Sequence, residues 1–132
     1  GSALEKLAEM VELQGGDPSY ILGPSKFASA PYSKAVTARE SGYISHMDTE
    51  AVGLACMSLG AGRQRKDDII DPAAGIVLHK KTGDNVEAGE TVATLFASDK
   101  NLFAEAAEHL RAALNYSAAA PAQKAVVFDT IE

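Results

Sequence analysis

Residues 60–89 constrain the fold of this chain more than any other segment, because glycine turns and an apolar strand follow one another closely there. The segment opens with a charged loop punctuated by glycine, whose members are Gly60, Gly62, Arg63, Arg65, Lys66, Asp67, Asp68 and Asp71. A short apolar strand follows at 75–78, and a second turn is centred on Gly83. Because glycine accepts backbone angles that other residues avoid, the pattern predicts a surface loop that leads into a β-hairpin.

The N-terminus has the pattern of one amphipathic helix. Residues 2–5 have the spacing of a capping box, and the apolar positions recur at helical intervals: Leu4, Leu7, Met10 and Val11. The glycine pair at 15–16 and then Pro18 end the helix. Since one helix cannot bury its own apolar stripe, we expect it to pack on another domain of a longer polypeptide.

The chain divides into three segments. We interpret residues 1–16 as a Gly1-Ser2 scar left by a protease, followed by a helix left over from a preceding domain. Residues 17–33 contain three prolines, and we interpret them as a semi-rigid connector with little regular structure. Residues 34–132 are expected to form the folded domain.

The folded domain alternates between strand-like and helix-like patterns. Strands are predicted at 34–38, 43–47, 76–79, 91–96 and 125–128, and helices between Asp48 and Gly60 and from Asp99 to Leu114. Each helix begins at an aspartate that is placed to cap it. A turn at 41–42 joins the first two strands, and residues 117–121 form a linker. This order predicts an α+β domain with helices on one side of a mixed sheet.

Charge and composition exclude several classes of function. The net charge is −6, and three acids follow directly on the only basic cluster, so we expect no nucleic-acid partner. No apolar run has the length of a signal peptide or a membrane span, so we expect a cytoplasmic protein without a membrane partner. Cys56 is the only cysteine, which excludes an intrachain disulfide. With no Trp, the core must be mostly aliphatic and alanine.

The charged loop is the strongest candidate for a functional site. The backbone amides around Gly60 and Gly62 have room to approach an anion, and the Arg63 guanidinium offers a planar fork of donors for phosphate. The alternative is a solvated surface loop whose positive and negative charges offset one another. Spacing alone favours this alternative, because no Lys-Ser/Thr pair completes a glycine-rich phosphate loop.

A second candidate is the hairpin region. Residues 75–100 resemble the hairpin of biotinyl and lipoyl carrier domains, and Lys100 after Asp99 is similar to the Asp-Lys pair that holds a lipoyl group. A carrier lysine stands on an exposed hairpin tip with a strand after it, whereas Lys100 opens a predicted helix. We therefore expect Lys100 to be unmodified. A carrier domain and a small-ligand-binding module are the alternative classes of function.

No catalytic or metal site is predicted in this chain. The three histidines match no zinc spacing, and one cysteine cannot complete such a site. We expect His46 and His79 at ordinary strand positions, His109 in a surface pair with Glu105, and Cys56 in the core. No nucleophile elbow or helical zinc motif occurs.

Four short motifs, in this order, resemble the C-terminal domain of the pyrimidine-nucleoside phosphorylases, the family that includes thymidine phosphorylase. They are MVELQGGD at 10–17, ESGYIS at 40–45, MDT at 47–49 and the loop from Gly60. The resemblance implies an α/β-hammerhead fold. It also implies a parent enzyme that carries out reversible phosphorolysis, in which a pyrimidine nucleoside and phosphate give the free base and a pentose 1-phosphate. Phosphate is then a co-substrate, and no cofactor is expected.

The resemblance further implies a division of work within the parent enzyme. A helical domain and a central α/β domain supply the phosphate and base contacts, so no catalytic residue is expected here. Those two domains are the expected partners of this chain, and the parent is expected to be a homodimer. Because the C-terminal domain folds over the active site, Gly60, Gly62, Arg63 and Lys66 are candidate lid residues. We expect the isolated chain to fold but to have no phosphorolytic activity.

Overall fold

The computed structural model describes residues 1–122, which form four α-helices and six strands. In chain order these are α1 (Ser2–Leu13), α2 (Ser19–Leu22), β1 (Tyr32–Thr37), β2 (Gly42–Met47), α3 (Thr49–Cys56), β3 (Gly75–Leu78), β4 (Asn85–Val86), β5 (Thr91–Ala97), α4 (Phe103–Ala112) and β6 (Leu114–Ser117). Short 3-10 turns lie at Pro24–Lys26 and Lys100–Leu102, and a π-type turn lies at Met57–Ala61. The α+β class is confirmed. The strand predicted at 125–128 lies outside the described residues.

The strands form two three-stranded sheets, in the orders β1-β5-β3 and β4-β2-β6, and every pairing in the described part is antiparallel. The prediction of one mixed sheet is therefore wrong. β1 and β2 follow one another in the chain but lie in different sheets, because β1 pairs with β5 and β2 pairs with β6. The predicted hairpin is confirmed, since β3 pairs with β5 and places Ile76 opposite Leu95.

The sequence patterns do not predict β4 and β6. β4 has two residues, which is too short for alternation to show. β6 covers residues predicted as the end of the last helix and the start of a linker, whereas α4 ends at Ala112. Leu114 is buried in β6, and a buried residue four positions after Leu110 fits the helical period equally well. Periodicity alone therefore cannot separate the two structures.

α4 contacts both sheets. Its buried residues are Phe103, Ala106, Ala107 and Leu110, and the helix contacts β1, β5 and β6. The other large, fully buried side chains come from the strands and from the π-type turn: Val36, Ile44, Leu59, Val86 and Leu95. The core is aliphatic and rich in alanine, as the composition predicts. Burial of such side chains is the main favourable term in folding.

α1 takes little part in this core. None of its residues is buried, and its main contacts are with α2. Leu7 is 45% exposed, and Leu4 and Met10 are similarly open. The predicted capping box is absent because Ser2 is the first helical residue and no side chain caps the helix. The predicted end is confirmed by Gly15, whose φ of +80° suits glycine.

The connector has more regular structure than predicted. α2 and the 3-10 turn at Pro24–Lys26 both lie within it, and the rings of Tyr20 and Phe27 pack edge-on with their centroids 5.1 Å apart. Proline is favourable in the first turn of a helical segment, so prolines in the connector do not exclude such turns. β1 begins at Tyr32, two residues before the predicted start of the folded domain.

Candidate functional site

α3 leads the chain into the candidate loop. Asp48 Oδ1 accepts hydrogen bonds from the amides of Glu50 (3.0 Å) and Ala51 (3.1 Å), which confirms the predicted cap. The helix ends at Cys56 and the π-type turn follows. Gly60 has a φ of +96°, a conformation that favours glycine, and it turns the chain out of the helix. The predicted stop at Gly60 is therefore confirmed.

A backbone hydrogen bond closes the loop at its base. The amide of Asp71 donates to the carbonyl of Gly60 at 2.9 Å, so residues 61–70 form a loop whose ends are adjacent. The Asp71 carboxylate accepts a hydrogen bond from the Ala73 amide at 2.9 Å. The Ser98 hydroxyl and then the Ala73 amide hold the pKa of the Asp71 carboxyl below its ordinary value. Because Ser98 directly follows β5, its effect on this carboxyl places the base of the loop beside the end of that strand.

A second aspartate organises the middle of the loop. Asp68 Oδ2 accepts hydrogen bonds from the amides of Gln64 (3.0 Å) and Arg65 (2.7 Å), and the Asp68 amide donates to the Arg65 carbonyl (3.2 Å). Hydrogen bonds to an ionised acceptor are stronger than those between neutral groups. Within residues 1–122, Asp67 is exposed and makes no comparable contact.

The basic side chains of the loop are exposed. Arg63, Arg65 and Lys66 form none of the ion pairs found within residues 1–122. Ile69 is 93% exposed, so the same loop also presents a large apolar side chain to solvent. The loop therefore offers three cations and two apolar side chains to a partner, because Ile70 is also 44% exposed.

Gly62 provides space rather than an unusual backbone angle. Its φ of −151° is extended backbone that any residue adopts. A Cβ atom built on Gly62 would lie 2.8 Å from Met57 Cγ, closer than real Cβ contacts. The missing side chain therefore lets the start of the loop lie against the π-type turn.

Two adjoining cavities, of about 240 and 320 Å³, lie between the loop, the π-type turn and α4. Met57, Ser58 and Gln64 line both of them. The smaller cavity extends to Asp68 and Ile69 in the loop, and the larger one extends along α4. Concave sites of this volume are large enough for a side chain or a small ligand.

Two of the three histidines, His79 and His109, take part in side-chain hydrogen bonds within the domain. His109 Nδ1 lies 3.2 Å from the Oγ of Ser58, which is buried at 6% exposure. Glu105 forms no ion pair with His109 within residues 1–122, so the predicted surface pair is wrong. His79 Nε2 lies 2.8 Å from Thr94 Oγ1, across the β3–β5 pairing. In this part of the chain, no three His, Cys, Asp or Glu side chains are grouped so as to hold a metal ion.

Cys56 does not have the environment of a reactive thiol, and Lys100 does not have that of a carrier lysine. Cys56 is half-buried rather than part of the core, and burial raises the pKa of its thiol, which disfavours the thiolate. Lys100 lies in the 3-10 turn, where Asp99 Oδ1 accepts the Asn101 amide at 2.9 Å. Lys100 Nζ lies 4.5 Å from the centroid of the Tyr32 ring, a cation–π arrangement. Lys100 is therefore not at a hairpin tip.

The structure brings the four predicted lid residues together in one loop: Gly60, Gly62, Arg63 and Lys66. Asp68 and Asp71 were predicted only as charges that offset the basic side chains. Both instead accept hydrogen bonds from backbone amides nearby in the sequence. The signal available in the sequence was an aspartate within two to four residues of a turn, because such side chains commonly bond to local backbone groups.

The family profile described as "Pyrimidine nucleoside phosphorylase C-terminal domain" matches residues 43–117, which include the whole candidate loop. The chain belongs to this family. Its membership confirms the resemblance predicted from the four short motifs. None of the helices described for this phosphorylase domain is long and apolar enough to cross a membrane.

Pyrimidine-nucleoside phosphorylases from several bacteria are similar to the chain. The protein from Bacillus subtilis is 47% identical over 102 residues, that from Geobacillus stearothermophilus 45% over 98 residues, and that from Staphylococcus epidermidis 43% over 102 residues. These matches cover 77%, 74% and 77% of this chain and 24%, 23% and 24% of the respective relatives. The phosphorylase domain thus spans about a quarter of the length of the curated relatives it matches.

Proposed function

We propose that this chain closes the active-site cleft of a pyrimidine-nucleoside phosphorylase, which converts a pyrimidine nucleoside and phosphate into the free base and a pentose 1-phosphate. The family match over residues 43–117 carries the proposal. The groups that react with substrate lie in other domains, so the isolated chain is inactive. Phosphate is a co-substrate of the enzyme, and no cofactor is needed.

The loop from Gly60 to Asp71 is the part of the domain that reaches the cleft. Its base is held by the Gly60–Asp71 hydrogen bond, while Arg63 and Lys66 are exposed without an ion-pair partner in residues 1–122. Closure of a loop or domain over bound substrates excludes water and holds the reacting groups in position. A loop with a fixed base and free cationic side chains is suited to that task.

α1 packs on the central domain of the enzyme. Its half-exposed stripe, which includes Leu7, supports this assignment because, within residues 1–122, the main contacts of α1 are with α2. The chain spans about 24% of its relatives, so the enzyme has ample sequence for that domain. We further propose that the domain has the α/β-hammerhead fold and that the enzyme is a cytoplasmic homodimer.

The test compares three preparations in an assay of base release from thymidine and uridine with phosphate. These are the isolated chain, the full-length enzyme that contains it, and the full-length R63A/K66A variant. We expect no turnover from the chain, and in the double variant a fall in kcat/KM of about tenfold or more, since two cations that act near developing charge are lost. Lys81→Ala in the full-length enzyme is the control, because Lys81 is an exposed lysine of the β3–β5 hairpin outside the loop.

Two results would contradict the proposal. Turnover by the isolated chain would place reacting groups in this domain. An R63A/K66A variant with the kcat/KM of the K81A control would show that the loop does not act on the cleft.

A further inference from the structure

The candidate loop carries three carboxylates and three cationic side chains, so its charges balance in the sequence. Two of its three carboxylates, those of Asp68 and Asp71, accept hydrogen bonds from backbone amides of the same segment. Asp67 is the remaining acid, and it is exposed. Three cationic side chains of the loop are exposed and form none of the ion pairs found within residues 1–122: Arg63, Arg65 and Lys66.

Asp68 holds the backbone between these cations. One oxygen, Oδ2, accepts the amides of two consecutive residues, Gln64 and Arg65, at 3.0 and 2.7 Å. These two residues lie between the basic side chains of Arg63 and Lys66, so the carboxylate fixes the backbone from which the cations extend. The same contact also holds Gln64, which lines both cavities beside the loop.

We infer that Asp68 is a positioning residue that holds Arg63, Arg65 and Lys66 ready to bind an oxyanion when the domain closes. The inference rests on the proposed function of the loop. The oxyanion has two possible sources, the phosphate co-substrate and a carboxylate on the opposite side of the cleft. A planar guanidinium beside a second cation suits either one, because both are compact and negatively charged.

The first arm of the test measures the contact itself in the 132-residue chain. Amide hydrogen exchange of Gln64 and Arg65 is followed by NMR in wild type, Asp68→Ala and Asp67→Ala. We expect Asp68→Ala to lose about tenfold in protection at these two amides, because their acceptor is removed. Asp67→Ala removes the same charge from the neighbouring position and should leave both amides as in wild type. Equal protection in all three proteins would overturn the inference.

The second arm measures function in the full-length enzyme. We expect Asp68→Ala to raise the KM for phosphate about tenfold while the KM for nucleoside changes less than twofold, if the oxyanion is phosphate. A rise of both KM values by the same factor assigns the oxyanion to the opposite domain. Asp68→Asn keeps an oxygen acceptor in place and should recover part of the loss, whereas Asp67→Ala should not weaken the enzyme.

The two arms separate failure of this inference from failure of the proposed function. If R63A/K66A impairs the enzyme and Asp68→Ala does not, the loop acts on the cleft but Asp68 does not position it, and the inference is wrong. If R63A/K66A has no effect, the proposed function is itself wrong. A uniform loss of thermal stability without a change in either KM would also overturn the inference.

Discussion

At the scale of single residues, Asp71 links the candidate loop to the rest of the domain. Its amide closes the loop onto Gly60, and its carboxylate accepts a hydrogen bond from the Ala73 amide. The Ser98 hydroxyl makes the largest contribution to the lowered pKa of this carboxyl. Since the donors prefer an ionised acceptor, the protonation state of Asp71 is coupled to stability.

The coupling predicts the pH dependence of Asp71→Asn. The pKa of Asp71 in the folded chain lies below the ordinary value of 3.8 expected in the unfolded chain. The ionised carboxylate therefore stabilises the fold above about pH 3.8, and this contribution disappears as the pH falls through the lower, folded-state pKa. We expect Asp71→Asn to have a lower melting temperature than wild type at pH 7. This gap in melting temperature should narrow below pH 3.8.

Thermal unfolding followed by circular dichroism between pH 7 and pH 2.5 measures this gap. Asp67→Asn is the control, because it makes the same chemical change at an exposed aspartate of the same loop. An Asp71→Asn gap that stays constant down to the lowest pH would contradict the coupling.

At the scale of elements, the boundary between α3 and the preceding strand depends on one side chain. Asp48 follows β2 and its Oδ1 accepts the amides of Glu50 and Ala51. These amides have no partner within the helix, as is true of the first turn of any helix. α3 has only eight residues before the π-type turn, so its N-terminal cap contributes a larger share of its stability than the cap of a long helix would.

We expect Asp48→Ala to lower the free energy of unfolding by about 1 kcal/mol, because it leaves these amides without a side-chain acceptor. Urea unfolding of the isolated chain measures the change. Asp48→Asn is the matched control, since asparagine caps helices about as well as aspartate. If both variants lose the same stability, the cap is not the cause.

At the scale of the whole molecule, the apolar surface is distributed unevenly. The core joins α4 with both sheets, whereas α1 has no buried residue and only α2 as its main neighbour. Leu7 is 45% exposed on the apolar stripe of α1, and Leu13 on another side of the same helix is 79% exposed. Such a helix gains stability only when another surface covers its stripe.

The uncovered stripe predicts different effects of Leu7→Glu in two contexts. In the isolated chain we expect Leu7→Glu to change the free energy of unfolding by no more than about 0.5 kcal/mol, because the side chain is already half-exposed to water. In the full-length enzyme we expect the free energy of unfolding to fall by about 2 kcal/mol or more, because the substitution would bury a charge where α1 packs on the neighbouring domain. Thermal unfolding of both proteins measures this, with Leu13→Glu as the control. Equal effects in the two contexts would show that α1 packs on nothing beyond this chain.

Features predicted from the sequence alone are those that depend on neighbouring residues. The Asp48 cap, the stop at Gly60 and the β3–β5 hairpin are confirmed, since each arises from contacts or angles within a short segment. The family was also predicted correctly, because its motifs are short runs of residues in a set order.

The tertiary structure decided which strands pair and which backbone groups the aspartates of the loop contact. β1 and β5 are far apart in the chain, and nothing in either pattern specifies that β1 joins β5 rather than β2. Likewise, the sequence shows only three acids after three bases, whereas the structure shows that Asp71 closes the loop on Gly60 and that Asp68 accepts the Gln64 and Arg65 amides. Local sequence patterns specify helix and strand propensities and helix caps. Strands and side chains that are distant in sequence find their partners only when the whole chain packs.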